Sequence, residues 1–153
     1  MNRSLLMSAL LMVAASVNAQ TENVHDWRVG SSAGWGTEIT VTNACNNDSV
    51  DVVMKLWTDD GQVFANRQLS ASQFTDANGE VAFHLTPHQS AHLSIAYTHL
   101  PTYTSGNASV TTYYAESGVK CLVGGYRMGI TKVGAPHPYG LCLSYLLNGG
   151  DEF

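Results

Sequence analysis

Apolar and polar residues alternate along most of the chain after residue 34, in short runs separated by turn residues. In the first run, Ile39 and Val41 share one face while threonines and a glutamate occupy the other. This two-residue period predicts half-buried β-strands, because successive side chains of a strand point to opposite sides. Similar runs occupy residues 50–57, 62–69, 81–85, 93–97, 110–115, 119–133 and 141–147. The pattern predicts about seven to eight strands in an antiparallel β-sandwich, with a bulge at Gly124-Gly125.

The middle of the chain resembles the immunoglobulin-like sandwich units of bacterial secreted and surface proteins. The resemblance rests on Trp35-x-Thr37-x-Ile39-x-Val41-x-Asn43, then an apolar strand ending in Asp60-Gly61, then Leu85-x-Pro87. It covers roughly residues 35–130 and concerns strand geometry, so it implies no catalytic residue. It implies an all-β, antiparallel immunoglobulin-like β-sandwich, which we place in a single domain over residues 35–153.

The first nineteen residues predict a cleaved signal peptide. A basic residue stands near the start, residues 5–17 are apolar, and small residues end the segment at Ala19. This arrangement is typical of an export signal, and the apolar run is too short to cross a bilayer. Residues 20–34 then read as a loosely held lead-in, with Trp27 packed against the sandwich. We expect a secreted or periplasmic protein with no transmembrane segment in the mature chain.

Composition narrows the classes of partner. The chain has 153 residues, enough for one domain with a proper core, and only 12% of them are charged. After removal of residues 1–19, six basic residues face twelve acidic ones, for a formal net charge of −6. The six basic residues are scattered singly, so no basic stripe exists to neutralise phosphates. Nucleic acid and anionic membrane are therefore not expected partners.

The long connections carry the candidate binding residues. If consecutive strands are antiparallel neighbours, the connections at 44–49, 70–78, 99–107 and 132–139 lie at one end of the sandwich. Their aromatic and histidine side chains are Phe74, His99, Tyr103, His137 and Tyr139. Rigid aromatic residues among small polar ones suit a binding surface on a rigid scaffold. We expect an exported binding or adhesion module that contacts a protein or a glycan with this end.

Other interpretations of the same features stay open. The long connections are also consistent with ordinary solvated loops that bind nothing. A different hypothesis is a structural subunit of an extracellular or surface assembly, in which exposed strand edges pair between copies of the chain. The size of the protein in solution separates the two hypotheses, because only an assembly subunit associates as its concentration rises.

Three cysteines in an exported chain predict one disulfide and one remaining thiol. In the layout of consecutive antiparallel strands, Cys45 and Cys142 lie at the long-loop end, and Cys121 lies near the other end on the inward face. Disulfide partners need Cα atoms within about 7 Å of each other. This layout favours a Cys45–Cys142 bridge, with Cys121 as a buried small hydrophobic residue. A Cys121–Cys142 bridge is the main alternative.

Three closely spaced histidines support a metal hypothesis. His84, His88 and His92 surround a turn at Pro87, and a hairpin there places His84 directly opposite His92. Directly opposed Cβ atoms lie about 5 Å apart, so both imidazoles could bind one ion. Zinc needs further ligands, which only His88 or His99 could supply. Solvated surface histidines explain the same spacing, and we expect no resident cofactor.

The arrangements that enzymes use are poorly represented. The serines at 31 and 32 lack the preceding strand and following helix of a nucleophile elbow. Cys121 is predicted to be buried with no histidine beside it, which leaves a thiolate nucleophile unsupported. Cys142 is followed by Leu, Ser, Tyr and Leu, without the nearby histidine and methionine of a blue-copper site. We therefore expect a protein that is not an enzyme.

Overall fold

The computed structural model describes residues 18–30, 34–96, 99–100, 103–114, 120–130 and 142–153. These residues form eight β-strands, one short 3-10 turn and no α-helix. The strands are β1 (Asn18–Val29), β2 (Trp35–Asn43), β3 (Val50–Thr58), β4 (Glu80–Leu85), β5 (Ser90–Ile95), β6 (Thr104–Tyr114), β7 (Leu122–Ile130) and β8 (Cys142–Leu146), and the 3-10 turn is Leu147–Gly150. Within the described part of the chain, no helix is long and apolar enough to span a membrane.

Two four-stranded sheets form the sandwich. Sheet A has the strand order β1-β6-β3-β4 and sheet B the order β5-β2-β7-β8, and all neighbouring strands are antiparallel. Buried and more exposed residues alternate along β2 and β3, as the sequence predicts. The buried side chains, including Ile39, Leu56 and Leu93, belong to one hydrophobic core. The predicted fold class, a single-domain antiparallel β-sandwich, is confirmed.

The segment expected to be a loose lead-in is largely an edge strand of sheet A. β1 pairs with β6, and the register shifts between Val24 and Trp27. Trp27 is fully buried, as expected, and its indole N–H donates to the carbonyls of Trp57 at 3.2 Å and Asn107 at 3.0 Å. The irregularity interrupts the two-residue period, which explains why the sequence does not predict this strand. Residues 1–17 of the predicted signal peptide lie outside the described residues.

Strand directions divide the connections between two ends of the sandwich. The loop end contains residues 59–79, between β3 and β4, and the described residues of the connection from β5 to β6. The closed end contains residues 44–49, 86–89 and 120–121, together with the segment that follows β8. Of the long connections expected at one end, 44–49 therefore lies at the other. The predicted connection at 132–139 lies outside the described residues.

A miscounted strand explains that error. Residues 62–69 form only isolated bridges, Trp57 with Val63 and Gln68 with Phe74, and belong to neither sheet. Asn66 has a φ of 54°, a left-handed conformation that interrupts an extended strand. When residues 62–69 are not counted as a strand, every later strand reverses its expected direction relative to β2 and β3. The connection 44–49 therefore lies at the end opposite to the connections that follow β3 and β5.

The predicted Cys45–Cys142 bridge is consequently wrong. Cys45 lies at the closed end, where it forms a disulfide with Cys121 across 5.1 Å between Cα atoms. β2 pairs with β7 there, with Asn43 opposite Leu122, so the two cysteines follow and precede paired residues. Cys142 lies opposite Gly129 near the loop end, at the start of β8. The alternative Cys121–Cys142 bridge is wrong for the same reason.

Buried polar contacts hold the closed end in addition to the disulfide. Asn43 is fully buried, and its amide donates to the carbonyls of Asp48 at 2.8 Å and Leu85 at 3.0 Å. Its side-chain oxygen accepts the Cys45 backbone N–H at 2.9 Å. The Tyr114 hydroxyl donates to the carbonyl of Phe153, which is itself buried. One asparagine therefore ties β2 to the connection that follows it and to the end of β4.

Candidate functional site

Residues 66–76, the arm, form two short extended segments that fold against β5. Backbone hydrogen bonds join Asn66 to Asp76 at 2.9 Å, and the Ala96 N–H donates to the carbonyl of the fully buried Leu69 at 2.8 Å. At the tip, the Gln73 amide donates to the His92 carbonyl at 2.5 Å and accepts the Ser94 N–H at 2.9 Å. A side-chain amide thus satisfies backbone groups at the edge of sheet B, where another strand would otherwise pair.

A cleft of about 670 Å³ opens at the loop end. Its walls come from the first half of the 59–79 connection and from His99, Leu100 and Thr104, and include Asp60, Gln62, Arg67 and Gln68. The Thr58 hydroxyl and the Gln62 backbone N–H donate to the Asp60 carboxylate and hold the pKa of Asp60 below its ordinary value. The cleft therefore presents an ionised carboxylate and a guanidinium among neutral polar and apolar side chains.

Of the five predicted binding residues, His99 lines this cleft, and Phe74 and Tyr103 adjoin residues of its wall. His99 is half-buried in its wall. Phe74 is 56% exposed on the arm and bridges to Gln68, a wall residue. Tyr103 is 61% exposed, precedes the wall residue Thr104, and lies so close to Gly30 that a Cβ there would be 3.0 Å from its ring. His137 and Tyr139 lie outside the described residues.

The histidines of the metal hypothesis are not brought together. β4 pairs with β3 in sheet A, while β5 pairs with β2 in sheet B, so the predicted hairpin between β4 and β5 is wrong. His84 lies 2.7 Å from the Asp51 carboxylate on one outer face, and His92 lies on the outer face of the other sheet. The exposed His88 occupies the turn between them. Among the described residues, no three histidine, cysteine or acidic side chains are grouped to bind a metal ion.

A groove of about 620 Å³ on the outer face of sheet B is absent from the sequence prediction. Gly125 on β7 lies at its centre, opposite Thr40 on one neighbouring strand and Leu146 on the other. Since glycine has no side chain, backbone forms the floor there; a Cβ at Gly125 would lie 2.7 Å from the Tyr145 carbonyl oxygen. The register runs through Gly124-Gly125 without a shift, so the predicted bulge is wrong.

One wall of this groove is a polar row that crosses three strands. The Glu38 carboxylate accepts hydrogen bonds from Arg127 at 2.5 and 3.0 Å. Its other oxygen lies 3.4 Å from Nδ1 of His92, which also lies 3.0 Å from the Thr40 hydroxyl. Because cross-strand contacts on both sides constrain Glu38, its carboxylate is held in one position. In the sequence, the groove is indicated only by Gly125, which stands between the outward-facing Val123 and Arg127. The groove itself arises from the pairing of β7 with β2 and β8.

Strand β8 carries a concentration of exposed apolar side chains. Leu143, Tyr145 and Leu146 are all exposed, and Leu146 reaches 69%. Tyr145 stacks on Tyr126 with 4.9 Å between ring centroids. Burial raises the pKa of the Tyr126 phenol above its ordinary value. Exposed apolar residues grouped on an edge strand are more unusual than the same residues scattered singly.

No family model, curated protein or solved structure matches this chain. The fold class therefore stands on the strand pairing of the chain itself. The immunoglobulin-like resemblance stays a prediction from the sequence.

Proposed function

We propose that this protein is an exported, non-enzymatic binding module whose loop end contacts a partner protein. The observation that carries the proposal is the loop-end cleft, with the exposed Phe74 and Tyr103 next to its wall residues Gln68 and Thr104. Exposed aromatic anchors surrounded by polar side chains are typical of protein interfaces, where a few such residues contribute most of the binding energy. The sequence suggests a protein or a glycan, and the spread of these anchors over two separate connections favours a protein.

Rigid attachment of the connections supports this assignment. Phe64, in the 59–79 connection, is buried and packs on Trp27 with 5.0 Å between ring centroids. The arm is attached to β5 through Gln73 and Leu69. A surface whose supports are fixed before binding loses less conformational entropy when a partner binds. The 59–79 connection is therefore held in place before a partner binds, as a specific contact needs.

Export is the second component of the proposal. The N-terminal pattern of a basic start, an apolar run and small residues supports it. A disulfide between Cys45 and Cys121 also favours an oxidising compartment, because disulfides are rare in reducing cytosol. Expression of the full chain followed by N-terminal sequencing of the exported protein tests this component, with Gln20 as the expected first residue.

The binding component is tested with matched aromatic substitutions. The exported protein and its Phe74→Ala/Tyr103→Ala variant serve as baits for surface proteins of the native host, with quantification by mass spectrometry. Tyr113→Ala, at an exposed tyrosine on the outer face of sheet A, is the control. We expect the double variant to lose a partner by roughly 30-fold or more, the effect of removing interface anchors of about 2 kcal/mol. Retention of every partner by the double variant refutes the loop-end assignment.

A second candidate function, a subunit of a surface assembly, is favoured by the apolar side chains of β8. Leu143 and Tyr145 on one face of this edge strand, and Leu146 on the other, are exposed where a second copy could cover the strand. In this case, light scattering shows the molar mass rising with concentration, and Leu146→Asp abolishes the rise because it places a charge in the contact. A constant monomer mass for both proteins removes this candidate and leaves the binding module.

A further inference from the structure

The groove on the outer face of sheet B is separate from the loop-end cleft and shares no lining residue with it. At the described outward positions of this sheet, Glu38, His92 and Arg127 are the ionisable side chains; the others are serine, threonine, glycine, Val123 and Leu146. Glu38 and Arg127 neutralise each other at 2.5 Å. The face is thus close to neutral, although the chain is acidic.

We propose that this groove binds a neutral saccharide. A neutral wall offers little attraction to phosphates, sulfates or acidic sugars, and the acidic chain around it repels them. A neutral polyol requires hydrogen-bonding groups without net charge, which the compensated Glu38–Arg127 pair and the neighbouring threonines provide. This inference does not depend on the proposed function of the loop end.

The position of the Glu38 carboxylate suits recognition of sugar hydroxyls. Arg127 binds one of its oxygens on one side, and His92 lies beside the other oxygen. Each carboxylate oxygen accepts more than one hydrogen bond, so a constrained Glu38 can accept further bonds from hydroxyls of a ligand. A hydrogen bond to an ionised group is stronger than one between neutral groups. Thr40 and Thr42 add hydroxyls along the same wall.

The remainder of the groove suits the carbon-bound face of a sugar ring. Gly125 leaves the backbone accessible at the floor, and Val123 and Leu146 line the groove beside it. Leu146 is 69% exposed, so a ligand that covers it gains hydrophobic free energy from burying most of this side chain. A groove of about 620 Å³ is within the usual range of roughly 300–1,000 Å³ for small-ligand sites. It has room for a short stretch of a saccharide chain.

An extended peptide is a poorer fit to this face. Peptides that add to a sheet do so through backbone hydrogen bonds at a strand edge. The centre of the groove lies on β7, which has β2 on one side and β8 on the other. Its backbone is therefore engaged within the sheet, and a ligand meets mainly side chains and the flat glycine floor.

Two pairs of substitutions test the proposal on the exported protein. Glu38→Gln removes the carboxylate and Thr40→Val removes the hydroxyl. Asp51→Asn is the control for Glu38→Gln, because Asp51 also contacts a histidine on the neighbouring strand, but on sheet A. Thr111→Val is the control for the second, on the same outer face of sheet A. The probes are an array of neutral and acidic oligosaccharides, then NMR titration with the strongest neutral one.

We expect a neutral oligosaccharide to shift the amide signals of Thr40, Gly125 and Leu146. Glu38→Gln should weaken its binding about tenfold or more, from the loss of a charged hydrogen bond. Thr40→Val should weaken it by less, and both controls should stay within about twofold, as expected for distant surface changes. Failure of every neutral oligosaccharide to bind overturns the proposal. Binding that favours acidic sugars, shifts only loop-end signals, or persists in Glu38→Gln also overturns it.

Discussion

The closed end and the loop end of the sandwich are held by different kinds of interaction. At the closed end, the Cys45–Cys121 disulfide and the buried Asn43 join the connections to the strands. At the loop end, the partly buried Gln73 and the exposed Asp60 add hydrogen bonds to connections that cover more chain and leave a cleft. The closed end thus has a covalent cross-link, whereas the loop end presents a cleft on connections held by noncovalent contacts.

The largest test of this difference is removal of the disulfide. The bridge spans 76 positions of sequence, and a loop of that length corresponds to about 4 kcal/mol of lost chain entropy in the unfolded state. We expect Cys45→Ser/Cys121→Ser to lower the free energy of unfolding by roughly that amount in urea denaturation. Cys142→Ser is the control, because it leaves the bridge intact. Non-reducing peptide mapping that recovers Cys142 cross-linked to either cysteine contradicts the arrangement of the closed end.

Asn43 provides the next largest test. Asn43→Ala deletes two donors and one acceptor from a fully buried site and leaves the Leu85 carbonyl without this partner. Buried polar groups left unsatisfied cost about 1–3 kcal/mol, so we expect a loss of about 3 kcal/mol in the free energy of unfolding. The matched control is Asn47→Ala at an exposed position of the connection that follows β2, where we expect a loss of less than about 0.5 kcal/mol. Equal losses in both variants would show that Asn43 does not brace this end.

The contrast between the ends also explains what the sequence can predict. Alternation in β2 and β3 identifies these strands, since each strand buries one face against the core. The same alternation at 62–69 is misleading, because Asn66 turns the chain out of the extended conformation. The alternation also does not indicate that the turn after β4 leads from sheet A to sheet B. Direction and sheet membership depend on long-range pairing, so the disulfide and the histidine pair were predicted wrongly.

The two candidate sites also differ in how far the sequence predicts them. Phe74, His99 and Tyr103 could be named because aromatic residues and histidine in long connections are visible in sequence. The sheet B groove could not, because Gly125, Thr40 and Leu146 become neighbours only through the pairing of β2, β7 and β8. The groove is formed by residues that are distant in sequence, so no local sequence pattern predicts it.

At the loop end, Gln73 tests how the arm is held against β5. Gln73→Ala removes two hydrogen bonds from the sheet edge, and we expect a loss of about 1 kcal/mol in the free energy of unfolding, since the site is partly exposed. Exchange of the Ser94 amide hydrogen should accelerate more than that of core amides, because the arm opens locally. Gln68→Ala, which removes one exposed contact to the Ser70 carbonyl, is the control. Unchanged Ser94 exchange contradicts a bracing role for Gln73.

The smallest expected effect is a response of the loop end to acid. The Thr58 hydroxyl, followed by the Gln62 N–H, holds the pKa of Asp60 below its ordinary value of 3.8. A lowered pKa in the folded state means that Asp60 stabilises the turn above pH 3.8, and that this contribution disappears as pH falls through the lowered pKa. We expect the NMR signals of the Asp60 carboxyl and the Gln62 amide to titrate together below pH 3.8.

Thr58→Val is the matched variant for this titration, because it keeps the shape of the side chain and removes the hydroxyl that lowers the pKa most. We expect the midpoint of the Asp60 titration to rise towards 3.8 in this variant. The Cys45 amide at the closed end should give no parallel change, because its acceptor is the neutral Asn43 side chain. A Cys45 signal that follows the Asp60 titration would show that the two ends are coupled, and that the closed end does not hold its structure independently of the loop end.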